Sequence, residues 1–386
     1  MKLSTRCVQL GRGDDTHGAI VSPIYQTATF EQPAATEFGE YDYTRSGNPT
    51  RTLLEQQLAD LEVASHACAF ASGMAALTAL TRIVKAGEEI IAGDDLYGGT
   101  VRLLDRISSH QNISVLYVDT TDCNELRKLV TSRTRLILIE TPSNPLFQIS
   151  DIRELASIAK ETGAYLAVDN SMLSPVFQQP LDLGADIVVH SATKFLCGHS
   201  DVTAGALITN DQVLHQQFAF QQNAEGAGLS PFESWLLLRG LKTLALRVER
   251  QNESAGKIAR FLQTRAEVTQ VFYPGLTDHA VHEKQASGNG AVISFTTGDE
   301  KLSAEIVETT RLFKIAVSFG SVGSTISVPC RMSHASIPSA LRDRLAPPSD
   351  LVRLSVGIED VDDLIADLDR AFAVNSREAA LAETYR

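Results

Sequence analysis

A chain of 386 residues, 44% hydrophobic and 21% charged, has ordinary globular composition and enough length to bury the cores of two domains. Its 47 acidic residues against 34 basic ones give a net charge of -13, which would repel a phosphate backbone rather than release its counterions, so nucleic acid is not an expected partner. Five scattered cysteines, Cys7, Cys68, Cys123, Cys197 and Cys330, form no CxxC pair and read as reduced thiols.

The opening Met-Lys-Leu-Ser-Thr-Arg-Cys lacks the apolar stretch of a signal peptide, and no later run is long and apolar enough to cross a bilayer. A cytoplasmic protein without membrane contact is expected, or a plastid one if a transit peptide has been removed. Residues 1–50 are rich in Thr, Pro, Gly, Tyr and Gln without period, which predicts an irregular arm reaching a neighbouring subunit. From Arg51 the spacing of Leu54, Leu58 and Leu61 predicts a helix. Apolar runs then alternate with helical stretches, with strands expected at 89–92, 115–118, 136–139, 165–168, 187–189 and 204–208. That alternation predicts an α/β fold built on a largely parallel sheet, a large domain over 51–245. A long helix at 241–264 leads into a smaller α/β domain, 246–386, with strands at 291–295, 314–318 and 352–356 and a helix near 361–372.

Ligands of open α/β sheets bind beyond the carboxyl ends of the strands, which directs attention to Glu140-Thr141, Asp169-Asn170 and Ser191-Ala192-Thr193-Lys194. Taken alone, Lys194 is a loop lysine and Asp169 a turn or helix cap. Two further features change that reading. Ser72-Gly73-Met74 opens an apolar helix whose free N–H groups and positive end suit a phosphate, with Ser191 and Thr193 as further hydroxyl donors. Tyr97, in the loop after another strand, offers a flat face for stacking, although a tyrosine there can also simply pack on its own domain. An amine, a carboxylate, a phosphate seat and an aromatic face together suit pyridoxal 5'-phosphate (PLP), whose ring nitrogen needs a negative charge beside it to draw electrons from a substrate's Cα.

At this point the chain resembles the PLP-dependent enzymes of Cys/Met metabolism, the trans-sulfuration enzymes, over residues 16–372. The matching segments are Tyr43-Thr44-Arg45-Ser46-Gly47-Asn48-Pro49-Thr50, Ser72-Gly73-Met74-Ala75-Ala76, Glu140-Thr141-Pro142-Ser143-Asn144-Pro145, Val168-Asp169-Asn170, Ser191 to Lys194 with Gly198-His199-Ser200-Asp201, and Arg239-Gly240-Leu241-Lys242-Thr243. The resemblance implies the aspartate-aminotransferase-like fold (fold type I) and a homo-oligomer, a dimer at least and usually a tetramer. It implies that Lys194 carries the cofactor as a Schiff base, Asp169 pairs with the pyridine nitrogen, Tyr97 stacks on the ring and Asn144 contacts its phenolic oxygen. Ser72, Gly73, Met74, Ser191 and Thr193 would hold the phosphate, joined by Tyr43 and Arg45 from the neighbouring subunit. Arg353 would clamp the substrate α-carboxylate, with Asn144 and Ser318 as further substrate contacts.

Within the family the chemistry divides between β-elimination and γ-elimination or replacement. Gly323 stands where γ-acting members carry Glu, and Gly99 where methionine γ-lyases carry Cys. The stretch 318–338 resembles plant-type cystathionine β-lyases most. The implied reaction uses the freed Lys194 amine to remove the Cα proton of a thioether amino acid. Expulsion of the thiolate then yields pyruvate and ammonia, with homocysteine from cystathionine. Cystathionine γ-lyase, γ-synthase and cysteine-S-conjugate β-lyase activities remain open. Ser191-Ala192-Thr193-Lys194 also fits the S-x-x-K pattern of serine acyl-transferases, but Lys242-Thr243 is followed by Leu244 rather than the glycine of K-T-G. His190 and His199 lack a third partner for a metal, and none is expected.

Overall fold

The runs Ile-Val-Val-His, Glu-Ile-Ile-Ala and Leu-Ile-Leu-Ile carry no polar alternation, so a sheet built from them must be covered on both faces. In a computed structural model describing residues 1–9, 16–276, 279–335 and 337–384, with side chains only to 374, they form the centre of a seven-stranded sheet. Its strands are β1 (His66–Phe70), β2 (Glu89–Gly93), β3 (Ser114–Val118), β4 (Thr134–Glu140), β5 (Tyr165–Asp169), β6 (Ile187–His190) and β7 (Gly205–Thr209). The order is β1-β7-β6-β5-β4-β2-β3. From β6 to β3 all neighbours are parallel, while β7 is antiparallel to both β6 and β1.

Helices cover both faces. On one, Leu80 of the helix Gly73–Thr81 and Leu104 of the helix Gly98–Gln111 pack with Ile90, Leu136, Ala167 and Ile187. On the other, Leu54, Leu58 and Leu61 of the helix Pro49–Leu61 pack with Val188, Ala206 and Ile208. This second core runs on without a break into Ile258, Leu262, Phe295, Leu354, Leu368 and Phe372. Those residues belong to the helices Leu244–Gln263 and Val361–Thr384 and to a five-stranded sheet of β8 (Gln270–Phe272), β9 (Val292–Thr296), β10 (Lys314–Ile315), β11 (Thr325–Ser327) and β12 (Val352–Ser355). Its order is β10-β11-β12-β9-β8, antiparallel except for β10 with β11. Among the described residues no helix is long and apolar enough to cross a membrane.

Several features differ from the sequence reading, among them the strands β8 and β11, which it did not place. The arm is not irregular throughout: Leu3–Gln9 is a helix that buries Cys7 and ties Arg6 to the Asp60 carbonyl at 2.9 Å. β1 was not anticipated, since His-Ala-Cys-Ala-Phe lacks the β-branched residues that mark its neighbours. The strand expected at 314–318 stops at Ile315, because Ser318 (φ 81°) and Gly320 (φ 87°) turn the chain through the left-handed region. The final helix runs past 372 to Thr384.

The first residue of β7 lies so close to the turn before the helix Gly73–Thr81 that a Cβ on Gly205 would stand 2.2 Å from the Ser72 carbonyl oxygen. Gly205→Ala should therefore destabilise the protein by about 1–3 kcal/mol through overpacking, read from the urea midpoint.

Candidate active site

Three adjacent strand ends converge on one cavity of about 440 Å³. β4 ends at Glu140 and β5 at Asp169, Cα partners in the parallel register, and β6 leads through His190 into Ser191-Ala192-Thr193-Lys194. The smaller sheet closes the opposite side with Arg353 of β12 and with Val317, Ser318 and Phe319. Ser72, Gly73, Met74, Tyr97, Asn144, Asp169, Ser191, Thr193, Lys194, Ser318 and Arg353 all line this cavity.

One end of the cavity suits an anion. The Ser72 hydroxyl caps the helix Gly73–Thr81 by accepting the Ala75 N–H at 3.0 Å. Helix geometry leaves the Gly73 and Met74 N–H groups without an acceptor inside the helix. A Cβ on Gly73 would come within 3.0 Å of the Ser191 Cβ and 3.1 Å of its Oγ, so glycine is what lets that hydroxyl sit beside the helix end. The Thr193 hydroxyl is tied to Ala204, accepting its N–H at 2.9 Å and donating to its carbonyl at 3.2 Å.

Tyr43 and Arg45 are not brought to this cavity. They are exposed and line a separate recess with Arg51 and Gly228, where Arg45 donates to the Asn223 side chain at 2.6 Å and lies 5.6 Å from the Tyr43 ring centroid.

The Lys194 amine donates to Ser318 Oγ at 2.6 Å and stands 4.8 Å from the centroid of the Phe319 ring. Burial, and after it the Arg353 charge, lowers its pKa to about 8 against the opposing pull of Asp169. The loop behind it is fastened by Arg247, which donates to the carbonyls of Phe195 at 2.9 Å, Leu196 at 3.4 Å and Gly240 at 3.0 Å. Gly198 (φ 73°) makes room for it, since a Cβ there would lie 2.0 Å from Arg247 Nη1.

Burial pushes the Asp169 carboxyl up, while the Ser171 bonds and the charges of His190 and Lys194 pull it down. Ser171 in turn accepts the Ser191 N–H at 2.7 Å, locking the ends of β5 and β6 together. Arg353, only 2% exposed, donates to Asn144 Oδ1 at 2.8 Å and to the Ser318 carbonyl at 3.1 Å. That contact leaves the Asn144 NH₂ group as the donor available to the site. Tyr97 is 40% exposed and its backbone N–H donates to Glu140 Oε2 at 3.2 Å. His190 and His199 are engaged elsewhere, with Glu62 at 2.6 Å and the Cys197 carbonyl at 2.8 Å.

The set fits pyridoxal phosphate on chemical grounds. It provides an amine for the aldehyde, a half-buried carboxylate for the ring nitrogen, an aromatic face, and a glycine cradle with N–H and hydroxyl donors for the phosphate. Residues without an assigned role also line the cavity, among them Arg102, Glu140, Ser171, Thr203 and Phe319. Glu140 was within reach of the strand-end rule, whereas Arg102 and Phe319 carry no signal in sequence. Gly323 is not among the lining residues, and a Cβ on it would meet open space, with nothing within 4 Å. A Cβ on Gly99 would press on Tyr97 Cε1 at 2.4 Å.

The family model for Cys/Met metabolism PLP-dependent enzymes matches residues 4–373. The chloroplastic cystathionine beta-lyase of Arabidopsis thaliana is 54% identical over 373 residues, 96% of this chain and 80% of the plant protein. The cystathionine beta-lyase of Neurospora crassa is 51% identical over 362 residues, 92% of this chain and 79% of its own length. The crystal structure of cystathionine gamma-lyase from Lactobacillus plantarum complexed with L-serine is 41% identical, with a TM-score of 0.93 over 97% of this chain and 99% of that one.

A cation disfavoured by burial loses its proton earlier as pH rises. With a pKa of about 8, Lys194 is about half neutral at pH 8, whereas an exposed lysine near 10.4 is less than ~1% neutral. Brief trinitrobenzenesulfonate treatment of the apoprotein at that pH should modify Lys194 ahead of the exposed lysines, as read by peptide mass mapping.

Proposed function

The chain belongs to the PLP-dependent enzymes of Cys/Met metabolism, and from that membership we propose how this cavity cleaves cystathionine to homocysteine, pyruvate and ammonia. It is a PLP-dependent carbon–sulfur lyase, and the β-lyase reading follows the names of the relatives at 54% and 51% identity. One observation carries the mechanism: the Lys194 amine, its proton weakly held, sits in one cavity with a buried guanidinium that has no carboxylate bonded to it among the described residues.

When bound, pyridoxal phosphate supplies an electron sink for the bond pair released at the substrate's Cα. Lys194 would hold it, with Asp169 at its ring nitrogen, Tyr97 over its ring, Asn144 at its phenolic oxygen, and Ser72, Gly73, Met74, Ser191 and Thr193 around its phosphate. Arg353 receives the substrate α-carboxylate as a two-pronged donor, fixing the substrate while Asn144 and Ser318 flank it. Tyr97 takes a proton from the incoming amine. The Lys194 amine, steered by Ser318 Oγ at 2.6 Å, removes the Cα proton. The thiolate departs from Cβ as homocysteine, and hydrolysis of the remainder gives pyruvate and ammonia.

Tyr43 and Arg45 would complete the phosphate site of a second copy, making a dimer the smallest active unit and a dimer of dimers the expected assembly.

Cystathionine mixed with the holoenzyme should release pyruvate and homocysteine, and Lys194→Ala should release neither. Release of 2-oxobutyrate instead would overturn the β-lyase reading. Arg353→Lys keeps the charge but loses the fork, and should raise KM roughly tenfold or more with a smaller change in kcat, measured by steady-state kinetics.

A further inference from the structure

Two carboxyl groups line the cavity, Asp169 and Glu140, and the reaction above uses only the first. Glu140 is 7% exposed, ends β4, and is the register partner of Asp169. Among the described residues its hydrogen-bond donor is the backbone N–H of Tyr97, at 3.2 Å. The Tyr97 carbonyl is held by the Thr100 and Val101 N–H groups at 2.8 and 3.2 Å, and Glu140 fixes the amide side of the same residue. Tyr97 is the N-cap of the helix Gly98–Gln111 and makes no side-chain capping bond. Its ring is folded so tightly over Gly99 that the backbone position decides where the ring lies.

The groups facing Glu140 come from four elements: Asp169 at the end of β5, Asp95 in the loop after β2, Arg353 on β12 and Lys194 after β6. Neither cation is hydrogen-bonded to it, since Arg353 donates to Asn144 and the Ser318 carbonyl, and Lys194 to Ser318 Oγ. We propose that Glu140 is a positioning residue that anchors the Tyr97 backbone as an uncharged acid. Burial pushes its carboxyl up, the charges of Asp169 and Asp95 push it further, and the Tyr97 N–H and Arg353 only partly oppose them. Two neighbouring carboxyl groups in one buried site do not both ionise readily, so the charge stays on Asp169, which would meet the ring nitrogen. The inference rests on the cofactor reading but not on the identity of the substrate.

Two variants separate the parts. Glu140→Gln keeps an acceptor for the Tyr97 N–H and removes the acid. The pH midpoint of its visible cofactor band, measured without substrate, should stay within about 0.3 unit of wild type. A larger move of the midpoint would show a charged Glu140 and overturn the proposal. Glu140→Asp withdraws the carboxyl by one methylene and should lower kcat about tenfold with KM little changed. A wild-type kcat in that variant would also overturn it, and if the variant fails to fold by circular dichroism, the Gln titration decides. No visible band in the wild-type holoprotein would sink the cofactor reading itself and this inference with it. A normal band with no cleavage of cystathionine would sink only the substrate assignment.

Discussion

The site is organised around one buried cation, Arg353, with no carboxylate bonded to it among the described residues. Arg353 is held by an amide oxygen and a main-chain carbonyl, neither of which neutralises it. A desolvated guanidinium in that condition is costly, and its pKa is pushed down to about 10. Its charge acts on the neighbours: it adds to burial in lowering the pKa of the Lys194 amine to about 8 and that of His334 to about 4. Its two bonds also link the two sheets, since Asn144 follows β4 of the larger one and Ser318 follows β10 of the smaller. An arriving carboxylate would meet an unsatisfied charge in a place already built to receive it.

Much of this was legible in sequence because burial leaves a mark. Strands covered on both faces read as unbroken apolar runs, and the point where each run turns polar gave Glu140, Asp169 and the segment leading to Lys194. What stayed hidden depends on contacts across the chain. Nothing near His66–Phe70 marks an antiparallel strand, because its small residues are selected by packing beside β7 rather than by an intrinsic preference. The turn at Ser318 was read as strand because a positive φ at serine has no compositional signature. Phe319 reached the lysine through that same turn.

Tyr43 and Arg45 belong to a motif that sequence resemblance ties to the phosphate, yet within one chain they lie in a different recess. Of the two glycines weighed as reaction-type markers, Gly99 lies under the ring of Tyr97, where an added Cβ would stand 2.4 Å from Cε1, while Gly323 has open space around it.

Arg247 grips the main chain immediately after Lys194 from behind, at the carbonyls of Phe195, Leu196 and Gly240. The lysine is therefore a tether fixed at its base: whatever travel its amine needs between one partner and the next is taken up by rotation about its own methylenes. Reach is then set by side-chain length, and a homologue that moved this anchor by a fraction of an ångström would have to re-aim everything the amine touches.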